Sequence, residues 1–185
     1  FSAQILAADG LGDLQEFDRA ETLLRDVIAA AESTGQWKLA TEACIQLIWA
    51  VGVGDTDLEE ARVLAKRAEA YAVRSGDDVR LRVGALAMLS GAFEHRGELV
   101  EAAAVVEDGL AVVQEHPDAP RMDHVRGVLV ARRVSLAAKR NDLALVLDSI
   151  DAIAQLENDR GEFSGSVLAA RSALAHAQGL AGQVD

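Results

Sequence analysis

Four histidines, one cysteine and a few acidic clusters are the residues of this chain that could do chemistry. His95, His116, His124 and His176 are scattered, and no pair has the four-residue helical spacing that aims two imidazoles at one metal. His116, Asp118, Asp123 and His124 could gather in one loop, but a solvated polar loop is the reading their spacing supports. Gly10-Leu11-Gly12-Asp13 has the look of a phosphate-cradling loop without its third glycine, preceding strand or following lysine, so it reads as an interhelical turn. Asp55, Asp57, Glu59 and Glu60 mimic a calcium loop that lacks its central glycine and full length, and a capped helix start explains them better. Cys44 lies among Ala43, Ile45 and Leu47, where an inert buried thiol is expected. A lone cysteine permits no internal disulfide and no thiolate zinc cluster. No nucleophile, base and orienting group come together, so the sequence implies no enzyme, no cofactor and no metal site.

The elements that carry these residues recur. Gly35, Gly76 and Pro117 are equally spaced, and Gly161 follows at a slightly longer interval. Ala20, Ala61, Ala102 and Val146 march at the same intervals. Two marker sets sharing one period mean copies of one unit, and a period of roughly 40 residues points to a helical solenoid. Residues 79–95 carry Val83, Leu86, Leu89, Ser90 and Phe93 on one helical stripe. A second helix from about Glu98 to Glu115 faces it with Ala102, Val106, Gly109, Leu110 and Val113, and Pro117 stops it.

The preceding unit follows the same plan: a helix over 37–52, a turn at Gly54 and Asp55, and a helix over 58–74 closed by Gly76. Asp57 stands three residues before Glu60, and Asp13 three before Glu16, the spacing of a capped helix start. A looser unit has helices over about 121–139 and 143–157, and Glu162 to Gly179 begins another. Phe1 to Asp9 reads as the tail of a first helix. The units run 1–35, 36–76, 77–117 and 118–161 with a partial 162–185, one array that reads as an excerpt of a larger protein.

Composition narrows the function. Half of the 185 residues are apolar, aromatics are only 4%, and proline occurs twice, a mix that favours helix. A net charge of −12 argues against a nucleic-acid binder, which needs a basic face, and against docking on anionic lipid. No apolar run approaches a membrane span. The absence of disulfides fits a reducing, cytoplasmic setting. Fifteen arginines against three lysines is a bias common in GC-rich bacterial genomes. Arg121, Arg126, Arg132, Arg133 and Arg140 cluster in one unit of an otherwise acidic chain, a solvated face that could orient a charged partner.

Leu89-Ser90 in mid-helix, Phe93, Gly97 at the turn, Ala102 and then Gly109 follow the spacing of the tetratricopeptide repeat (TPR) family, which these units resemble. Ile48, Trp49, Gly52, Ala61 and Ala68 occupy the same places one unit earlier, with Trp49 where the family has a small residue. Ala8, Ala20 and Val27 fit in the first unit, and Val134, Asn141, Val146 and Ile153 in the fourth. The family's unit is shorter, so these are long-helix variants. The resemblance implies an all-α, right-handed α-solenoid of antiparallel helix hairpins, about four units plus partial terminal helices.

It also implies a concave groove lined by the first helix of each pair. The groove positions are Gln46, Ala50 and Val53, then Ala87, Gly91, Glu94 and His95, then Ala131, Ser135 and Lys139, with Ala43, Gly84 and Val128 beside them. These are mostly small and apolar, suited to an apolar helix rather than to a clamp for an acidic tail. The expected function is a non-enzymatic scaffold binding a protein or peptide. It resembles the TPR regions of bacterial signalling proteins, attached to serine/threonine kinases or transcription regulators. The alternative is a regulatory domain whose groove senses a small effector or peptide. Exposed terminal units imply self-association through the ends.

Overall fold

The computed structural model describes residues 2–55, 57–120, 122–142 and 144–149, and beyond them Ile153, Arg171, Ser172, Leu174, Ala175 and Gly179. The described residues hold α-helices and turns with no strand: α1 (Ser2–Asp13), α2 (Phe17–Ser33), α3 (Trp37–Trp49), a π-helical turn (Ala50–Asp55), α4 (Leu58–Arg74), α5 (Val79–His95), α6 (Leu99–Glu115) and α7 (Met122–Lys139). Residues 144–149 are also helical. The rest of the helix expected over 143–157, and most of the one over 162–179, lie outside the described residues. The chain divides into two compact units, Phe1–Glu98 and Leu99–Asp185.

Five helices end in the same way. Gln15, Gly35, Gly76, Gly97 and Asn141 all have positive φ, from 55° to 108°. At each, two amides turn back onto the last carbonyls: Gly76 N–H to Val73 and Asp77 N–H to Ala72, or Gly97 to Glu94 and Glu98 to Phe93. This pairing satisfies the orphan carbonyls of a helix end and reverses the chain within three or four residues. It explains why glycines mark the period, since they reach this conformation without Cβ strain.

Two expected turns are corrected. Gly10 to Asp13 belongs to α1, and the reversal falls at Leu14–Glu16 with Gln15 taking the left-handed position. Glu16 is therefore the residue before α2, its side chain makes no capping bond, and its carboxylate pairs with Arg19 instead. The turn expected at Gly54–Asp55 is a π-helical continuation of α3. Close packing explains the glycines within it: a Cβ at Gly52 would lie 2.6 Å from that of Ala92, and one at Gly54 2.4 Å from that of Phe17. Asp57 does cap α4, accepting from the Glu60 amide at 2.8 Å, but the Glu60 carboxylate goes to Arg25.

In the first unit each helix packs on the next, and α1, α3 and α5 also touch in succession. The core is the apolar stripes: Ala20, Leu24, Val27 and Ile28 of α2, Ala40, Cys44, Leu47 and Ile48 of α3, Ala61, Leu64 and Ala68 of α4, and Val83, Leu89 and Phe93 of α5. Phe17, Leu39, Ile45, Leu86 and Leu110, expected in these stripes, are half-buried at their edges. Thr41 is buried and its hydroxyl donates to the Trp37 carbonyl at 2.8 Å, so this polar group is satisfied within its own helix. In the second unit α6 packs on α7, and Val130, Val134, Ala137, Val146 and Ile153 form the core.

Candidate functional site

The positions expected to line a groove divide between the units. In the first, α3 and α5 lie side by side, with Gly84 open to Ile45 and the Trp49 and His95 rings meeting edge-on at 6.1 Å. Gln46 and Val53 are half-buried on α3 and its π-helical extension; Ala87 and Glu94 are half-buried and His95 exposed on α5. Ala50 and Gly91 are buried, so they bring backbone close without offering side-chain surface. In the second unit Ala131 and Ser135 are half-buried and Lys139 exposed, all on α7.

The structure brings Gln46 and Ala50 together with Trp49, which stands where the repeat family has a small residue. A hollow of about 40 Å³ is lined by Ala8, Asp9, Leu24, Gln46, Trp49 and Ala50, where α1, α2 and α3 meet. Trp49 is half-buried there, and its ring and that of His95 meet in an edge-on arrangement. Its departure from the family's small residue was the available signal. The resulting patch combines an indole, the Gln46 amide and the Asp9 carboxylate with small apolar side chains.

A second constellation joins α2 to α4. Arg25 pairs with Glu60 at 2.7 Å, and seven residues on along each helix Arg67 pairs with Glu32 at 2.9 Å. Tyr71 donates to the same Glu32 carboxylate and accepts from Arg67. Trp37 stacks on Tyr71 at 5.7 Å, and the Arg74 guanidinium lies 4.9 Å above Trp37. The Tyr71 hydrogen bond, followed by that of Arg67, holds the Glu32 carboxyl below its ordinary range. Burial, then the bond to Glu32, pushes Tyr71 up to about 12. The bond to Glu32 raises Arg67 further into its charged form. The sequence carries no warning of this network, because each member alone reads as a solvated helix residue.

The other candidates are structural. Burial pushes the Cys44 thiol up to about 12, which removes its nucleophile at neutral pH. His116, just past the end of α6, has Nδ1 3.0 Å from the Val112 carbonyl of that helix, and His124 is exposed. The Asp123 side chain and His176 lie outside the described residues. Among the described residues no three metal-ligating side chains cluster, and no helix is long and apolar enough to cross a membrane. A larger cavity of about 460 Å³ lies between α6 and α7, walled by Leu110, Val113, Met122 and Val130 with Arg126 and Arg133 among them. Of the clustered arginines, Arg132 is also half-buried, Arg140 is exposed and Arg121 lies outside the described residues.

No protein-family model matches the chain, and a search of curated proteins finds no match. Solved structures do resemble it. A crystal structure of a kinesin light chain candidate from Podosopora anserina, with nearly identical TPR-like repeats, superposes with a TM-score of 0.63 at 19% identity, covering 98% of this chain and 87% of that one. A point variant of the same protein matches equally, with 86% of its chain covered. Together with the helices and repeated turns described above, that likeness fixes the architecture as an all-α solenoid of TPR-like helix hairpins.

Proposed function

We propose that this chain is a non-enzymatic interaction scaffold, a TPR region of a larger cytoplasmic bacterial signalling protein such as a serine/threonine kinase or transcription regulator. It binds a partner protein or sister domain on the inner faces of its first helices. The observation that carries this reading is the half-buried Trp49 meeting the exposed His95 across adjacent α3 and α5, with Gln46, Ala87 and Glu94 half-buried on the same two helices. Aromatic anchors among small neighbours are the composition of a binding hot spot, and an apolar helix reads such a surface at every third or fourth residue. The arginine-over-lysine bias supports the bacterial setting.

The test is capture of partners on the immobilised chain and on Trp49→Ala and His95→Glu variants that melt normally. A partner held by the native chain and released by both variants supports the inner face as its site. A partner held equally by all three rejects it.

Self-association through a terminal unit is part of the same reading. Leu6 of α1 is 72% exposed, whereas Leu47, one period later and at the same place in the repeat, is fully buried. Sedimentation that stays monomeric at high concentration, unchanged by Leu6→Glu, would remove this part of the proposal.

A further inference from the structure

We draw no further inference here: the strongest candidate, the exposed apolar face of α1 that carries Ala3, Leu6, Ala7 and Gly10, has nothing in the structure to show what covers it.

Discussion

Tyr71 on α4 and Glu32 on α2 share a hydrogen bond across 39 residues of sequence, and Arg67 reaches the same carboxylate oxygen. With Arg25 and Glu60 two turns earlier, the helices are fastened at two levels of opposite polarity. Sliding one helix by two turns would set Arg25 against Arg67 or Glu32 against Glu60, so the arrangement also rejects the wrong register. Tyr71→Phe should lower stability by about 1–2 kcal/mol, since a bond to a charged group is lost and Glu32 retains Arg67. Chemical denaturation measures this. A double-mutant cycle with Glu32→Gln should show coupling between the two, and strict additivity would refute it.

The same pair sets a pH window. Glu32 has its pKa lowered by folding, so its contribution is present above the ordinary carboxylate value of about 4.3 and lost as pH falls through the lower folded value. Tyr71 has its pKa raised to about 12, so its contribution is complete below the unfolded value of about 10 and lost as pH rises toward the folded one. Stability profiles of Glu32→Gln should be flatter on the acid side, and those of Tyr71→Phe flatter on the alkaline side.

Phe93 is 1% exposed, with the Arg62 guanidinium 4.3 Å above its ring. Phe93→Ala should cost about 3–5 kcal/mol in a denaturant titration, from lost burial and the cavity left behind. A loss under about half a kcal/mol would mean that the ring contributes no packing.

Glycine substitutions should divide by sign. Gly54→Ala drives a methyl to 2.4 Å from Phe17 Cβ, which cannot rotate away, and should cost about 1–3 kcal/mol. Gly10→Ala in α1 meets nothing within 4 Å and should raise stability by about 0.5–1 kcal/mol through helix propensity. Thermal melts of the two proteins should move in opposite directions.

These contrasts show what the sequence made legible. Gly35, Gly76 and Gly97 announced their turns because a left-handed residue is easiest to make from glycine, and from them the period and most helix bounds followed. Gln15 takes the same conformation with a side chain that carries no such signature, so the end of α1 was placed several residues early. The close approach of Ala92 to Gly52 and of Phe17 to Gly54 within the π-helical turn is tertiary information. Of the candidate site, the helices and small residues were readable, but the place of Trp49 at the surface was not. Its departure from a small residue marked the position, but its half-buried place beside α1 and α2 depends on how the helices pack.

Cys44 is the chain's single thiol, wholly covered on α3 and held protonated at neutral pH. Any maleimide or disulfide reagent must therefore wait until α3 parts from its neighbours. The labelling rate of the unmodified protein becomes a stopwatch for that opening, and a tightly bound partner on the α3–α5 face would make it run slower.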